Sequence, residues 1–185
     1  ILAAAIKHGY CDFDNETSSW YSIQAPYLGS PAASYLSSLC RNSSYYDLFY
    51  YTARWLHLCN ATTMTENRVY RTLEASYCDS DGLCVRELEK LSSSRRKGGM
   101  CGNSAMGLFS SWSVTFYTLS TLIGFQEFND GLVGISSCQF ADTKYDPSPY
   151  ASYYLAAINH RDGTCFNGNG WLSQGAPCDF YVNKY

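Results

Sequence analysis

Nine cysteines, spaced singly along 185 residues, constrain this chain more than any other feature. They are Cys11, Cys40, Cys59, Cys78, Cys84, Cys101, Cys138, Cys165 and Cys178. None belongs to a C-x-x-C pair, so the spacing does not suit zinc, and no metal or cofactor is expected. Scattered cysteines in a Tyr- and Ser-rich chain fit a disulfide-linked protein of an oxidising compartment. Three N-x-S/T sequons, at Asn15, Asn42 and Asn60, point the same way. The expectation is a secreted, extracellular glycoprotein. The odd cysteine requires a free thiol or a partner outside the sequence. Cys78 with Cys84, and Cys165 with Cys178, are close enough along the chain to pair locally, but spacing does not fix connectivity.

The length suits a single domain with a real core. A hydrophobic fraction of 46% against 16% charged excludes a disordered chain. The net charge of −3 provides no basic field, so nucleic acid is not an expected partner. The 17 Tyr, 9 Phe and 4 Trp are enough either to fill a core or to make a surface that stacks on another molecule. No run reaches the roughly 18 apolar residues of a membrane helix. Residues 1–6 are apolar but short and lack a basic flank, so they do not read as a signal peptide. Residue 1 is expected to be a point of processing or truncation.

Local patterning alternates strands with helices. Residues 1–8 read as a helix stopped by Gly9. Residues 20–25 read as a strand that is apolar on both faces, as in a buried parallel sheet, ended by Pro26. Ser30 and Pro31 open a helix to about Cys40, as N-cap and first helical residue. Helical patterns follow at 45–58, 66–77 and 83–91. The first is dense in aromatics: Tyr45, Tyr46, Phe49, Tyr50, Tyr51 and Trp55. Such spacing normally marks a core face, and it also suits a lid over an acyl-chain groove or an assembly surface. Residues 92–99 read as a solvated basic connection, with protease sensitivity as the sharper alternative. Extended segments are expected at 113–119, 131–136 and 153–158. The alternation predicts an α/β layer architecture, with 41–110 as a helical insertion upon it.

Chemistry concentrates in two short segments. Asp130 stands in F-N-D-G-L-V-G (128–134), and His160 in I-N-H-R-D-G (158–163). In serine hydrolases an acidic residue orients a histidine that takes the proton of a serine. In the α/β-hydrolase version the chain order is serine, acid, histidine. Read alone, Asn129-Asp130-Gly131 also suits a plain turn, and His160 an ordinary surface histidine. Asp162 lies too close along the chain to reach the imidazole and reads as a loop residue. His8 and His57 fall in helical patterns and read as structural or exposed.

Three blocks, in order, resemble the secreted triacylglycerol lipases of the α/β-hydrolase fold. Residues 21–33 are similar to the strand and P-x-x-G-S-x-x-A turn that follow the family's nucleophile helix. Residues 128–133 are similar to its acid-bearing segment, and 159–162 to its histidine segment. The resemblance implies one α/β-hydrolase-like domain over 1–185 that lacks its N-terminal part, with a variable lid at 41–110. It implies Asp130 as the orienting acid and His160 as general base and then general acid. The family's G-x-S-x-G elbow would lie just upstream of residue 1, as would the early strands and one oxyanion-hole donor. The one internal rival is Ser104, in G-N-S-A-M-G. It has an extra residue before the second glycine and a poor strand before it, and reads better as a turn cap.

Two functions follow as expectations. One is a secreted lipase- or esterase-like hydrolase acting on acyl esters, with its serine supplied by an upstream segment or a separate chain carrying the rest of the sheet. The other is a non-catalytic extracellular glycoprotein that self-assembles into a coat, fibril or adhesive surface on the same scaffold.

Overall fold

The computed structural model describes residues 2–14, 16–41, 57–60, 65–140, 143–171 and 175–184. At its centre is a three-stranded parallel sheet with the order β1, β4, β5. The strands are β1 (Trp20–Ile23), β4 (Arg96–Gly102) and β5 (Tyr153–Ala156). β4 pairs in parallel with both neighbours, Ile23 beside Met100 and Met100 beside Tyr154. Among the described residues, β1 is an edge strand of this sheet. A two-stranded antiparallel ribbon, β2 (Cys59–Asn60) and β3 (Thr65–Glu66), stands apart from it.

The helices are α1 (Leu2–Lys7), α2 (Pro31–Arg41), α3 (Arg68–Arg71), α4 (Val85–Ser93), α5 (Ser113–Ile123), α6 (Ile135–Cys138) and α7 (Pro177–Val182). α2 begins as its sequence expects. The Ser30 hydroxyl accepts the Ala32 N–H at 3.1 Å, with Pro31 in the first turn.

Alternate side chains of β4 enter the two faces of the sheet. Met100 joins Leu108, Tyr154, Ala156, Ile158 and Phe180 in one buried cluster, closed by α7. Cys101 joins Val133, Cys138 and Tyr145 in the other, closed by α6. The α/β layering is therefore present. Four disulfides brace it: Cys40–Cys59, Cys78–Cys84, Cys101–Cys138 and Cys165–Cys178. The two local pairs are among them, and Cys11 is the free thiol. Disulfides of this number belong to an oxidising compartment. No described helix is long and apolar enough to cross a membrane.

Several local expectations are overturned. Residues 96–99, read as part of a basic connection, form the start of the central strand, and residues 96–102 are not helical although they fall within 41–110. Arg96 is buried there beneath aromatic rings. Its guanidinium carbon lies 4.5 Å from the Tyr27 ring centroid, 3.0 Å from that of Phe140 and 5.6 Å from that of Tyr153. Gly98 serves close approach rather than flexibility, because a side chain there would meet the Tyr21 ring at 2.8 Å. Residues 113–119, expected as a strand, lie in α5. Val114, Thr118 and Leu119 share one helical face, and Gly124 closes the helix with φ of 75°. Residues 131–136, also expected as a strand, make a turn leading into α6. The helix expected at 66–77 shrinks to the single turn of α3 followed by further turns. The aromatic block at 45–55 lies outside the described residues.

Candidate functional site: an aspartate–histidine pair beside an apolar cavity

Asp130 and His160 meet. His160 Nδ1 lies 2.8 Å from Asp130 Oδ2, and the His160 backbone N–H donates to the Asp130 carbonyl, also at 2.8 Å. The Asp130 turn makes this possible. Its Oδ1 accepts the N–H groups of Leu132 at 3.0 Å and Val133 at 2.8 Å, as an Asx turn does. Asn129 Oδ1 accepts the Gly131 N–H at 2.9 Å. Gly131 takes φ of 99°, where a side chain would also meet the Phe116 ring. Asp130 is thereby held 1% exposed, while the His160 side chain keeps 35% of its surface.

Burial pulls the His160 imidazole down, but the hydrogen bond and the charge of Asp130 outweigh it, so its pKa sits above the ordinary histidine value. An ionised carboxylate only accepts, so the proton on Nδ1 faces Asp130 and the lone pair belongs to Nε2. Among the described residues, Nε2 hydrogen-bonds nothing.

Both residues lie beyond the carboxyl ends of parallel strands, where open α/β sheets place their sites. Three polar side chains that sequence reasoning missed or set aside hold the His160 turn. Gln24, the residue after β1, adopts φ of 47° and donates from Nε2 to the Asn159 carbonyl at 2.9 Å. Asn159 is fully buried, and its Oδ1 accepts the N–H groups of Arg161 and Asp162, both at 3.0 Å. Asp162, read as a loop residue, is fully buried. Its Oδ2 accepts the Leu108 N–H at 2.7 Å and the Asn159 N–H at 3.2 Å, and its Oδ1 accepts Asn167 Nδ2 at 2.8 Å. The available signal was three polar residues ending apolar strand patterns, Gln24 after Ile23, and Asn159 and Asp162 after Ile158. The Arg161 guanidinium turns to solvent-facing rings, 4.6 Å from the Trp112 centroid and 4.8 Å from that of Phe166.

His160 forms part of the wall of a cavity of about 970 Å³. The rest of the wall is mostly aliphatic. Leu36 and Leu39 come from α2, Leu58 and Leu73 from the connections, and Val114, Leu119 and Ile123 from α5. Such a space suits an apolar ligand with one convergent polar group.

The other candidates fall elsewhere. Ser104 Oγ accepts the Gly107 N–H at 3.1 Å and caps a turn. Ser30 lines the cavity, but its hydroxyl donates to the Leu132 carbonyl. His8 Nε2 lies 3.3 Å from Asp79 Oδ2 on the surface, and His57 is exposed with φ of 56°. Of the sequons, Asn60 is exposed at the end of β2, whereas Asn15 and Asn42 lie outside the described residues. Compared with known proteins, the chain matches no family model and no curated protein.

Proposed function

We propose that this chain carries the acid–base half of a secreted lipase- or esterase-like serine hydrolase acting on acyl esters. The observation that supports this reading best is the Asp130–His160 pair, with its imidazole set in the wall of the large apolar cavity. In this reading the nucleophilic serine belongs to a segment outside these 185 residues, which also supplies a strand for the open edge of β1. His160 Nε2 takes the serine proton as the hydroxyl attacks the ester carbonyl. The resulting imidazolium returns the proton to the leaving alcohol, and an acyl-enzyme remains. Water, activated by the same nitrogen, releases the acid and restores the serine. Asp130 holds the imidazole in one tautomer and stabilises its cation. The acyl chain lies against Leu36, Leu39, Val114 and Leu119. The sequons at Asn15, Asn42 and Asn60 carry glycans.

The test is fluorophosphonate labelling of the native full-length protein, with peptide mapping by mass spectrometry. An adduct on a serine outside these residues, lost together with ester turnover in His160→Ala, supports the reading. An adduct on Ser104 would overturn the placement of the nucleophile. Absence of any adduct on folded protein would leave the non-catalytic extracellular glycoprotein in its place.

A further inference from the structure

A second recess, of about 500 Å³, opens between the 108–111 loop and residues 167–171. Its volume falls within the roughly 300–1,000 Å³ of small-molecule sites. The chemistry of its wall differs from that of the first cavity. No charged side chain lines it. Polar character comes from the Ser110 and Ser111 hydroxyls and the Asn167 and Asn169 carboxamides, and apolar surface from Phe109 and Trp171.

The two rings are held in water, Phe109 81% and Trp171 83% exposed. The loops beneath them are anchored. Leu108 N–H and Asn167 Nδ2 both donate to the buried Asp162 carboxylate, so one side chain ties the two walls together. Asn169 accepts the N–H groups of Cys178 at 2.9 Å and Asp179 at 3.2 Å, and the Cys165–Cys178 disulfide fastens the same loop to α7. Among the described residues, the Asn167 Oδ1 and the Ser111 hydroxyl have no hydrogen-bond partner within the protein. The two exposed rings therefore form an apolar rim on a polar recess whose walls are fixed from below.

We propose that this cleft binds a neutral saccharide. A sugar ring presents C–H groups on its faces and hydroxyls around its edge. The faces fit the exposed rings of Trp171 and Phe109, and the hydroxyls fit amide and hydroxyl partners. A phosphate, carboxylate or charged peptide would find no counter-charge in the wall. An acyl chain would leave the Asn167 Oδ1 and the Ser111 hydroxyl covered without partners. Because the cleft has its own lining, the proposal stands whether or not the ester-hydrolase reading does.

The test is isothermal titration of the full-length protein with cellopentaose, chitopentaose, laminaripentaose and maltopentaose. At least one should bind saturably at millimolar concentration or below. Trp171→Ala and Phe109→Ala should each weaken that binding by about tenfold or more, with Trp171→Phe retaining most of it. Circular dichroism and the His160 titration should be unchanged in all three variants. Absence of binding by all four sugars, or binding that survives both alanine variants, overturns the proposal. So does partition onto neutral phosphatidylcholine vesicles that depends on Trp171 without any response to sugar, which would mark a bilayer contact instead.

Discussion

His160 is tied to Asp130 at two points 2.8 Å long, once through the ring and once through the backbone. The backbone bond fixes where the residue begins, and the side-chain bond fixes how the ring is turned. A histidine held only by its ring would swing with the 158–163 turn.

The first consequence is a pH dependence. The folded pKa of His160 is raised above the ordinary value of 6.5. The charged form is therefore favoured by folding, and this contribution to stability is fully present below about 6.5 and lost as pH rises through the folded pKa. In Asp130→Asn the hydrogen bond to a charge is gone and burial acts alone, so the midpoint should fall. Proton NMR of the imidazole across pH reads both midpoints without requiring any activity. An unchanged midpoint in Asp130→Asn would contradict the pairing.

If the protein hydrolyses esters, the neutral imidazole is the working base. Turnover should then rise with pH through the same raised midpoint. Asp130→Asn should lower kcat by roughly 10³- to 10⁴-fold, because the ring loses its fixed tautomer. A pH–rate profile of the full-length protein checks both statements.

The turn that presents Asp130 depends on Gly131. Gly131→Ala places a side chain at φ of 99°, 2.7 Å from Phe116 Cβ and 2.8 Å from its ring. A loss of about 2–4 kcal/mol is expected, together with a lowered His160 midpoint as Asp130 is displaced. Urea unfolding and the same NMR titration measure the two effects.

Asp162 carries three N–H donors on one buried carboxylate. Bonds to a charged acceptor are worth more than neutral ones, and Asp162→Ala leaves the Leu108 and Asn159 N–H groups buried without an acceptor, while Asn167 Nδ2 turns to the open cleft. A loss on the order of 3–5 kcal/mol follows. Denaturant unfolding against the unsubstituted protein tests this, and a loss below about 1 kcal/mol would show that the network is not closed as described.

The disulfides differ in leverage. Cys101–Cys138 spans 37 residues and Cys78–Cys84 spans 6. By loop-closure entropy, the Ala pair variant at 101 and 138 should lose about 4 kcal/mol, against about 2 for the pair at 78 and 84. Thermal unfolding of the two variants gives the order.

The readable part of this chain was local chemistry. Ser30 and Pro31 declared the start of a helix, and Asn129-Asp130-Gly131 declared a turn. The His160 segment could be matched to Asp130 because each carries a recognisable short pattern. What failed depended on distant partners. Arg95-Arg96-Lys97-Gly98-Gly99 reads as exposed until Tyr27, Phe140 and Tyr153 converge on Arg96 from three other segments. Residues 113–123 are rich in Val, Thr and aromatics, which favour strands. Their helical spacing shows only once Leu36 and Leu39 face Val114 and Leu119 across the cavity. Gln24 shows in sequence only as a polar residue after Ile23, because its role comes from a left-handed backbone and a carbonyl 135 positions away.

Asp162 gives the histidine turn and both walls of the aromatic cleft a common footing. The backbone of the His160 turn and the two cleft walls meet on its oxygens. A change that re-aims the imidazole moves the floor under Asn167 and Leu108, and a change that widens the cleft tugs on Asn159. One carboxylate therefore sets the tolerance of both turns at once.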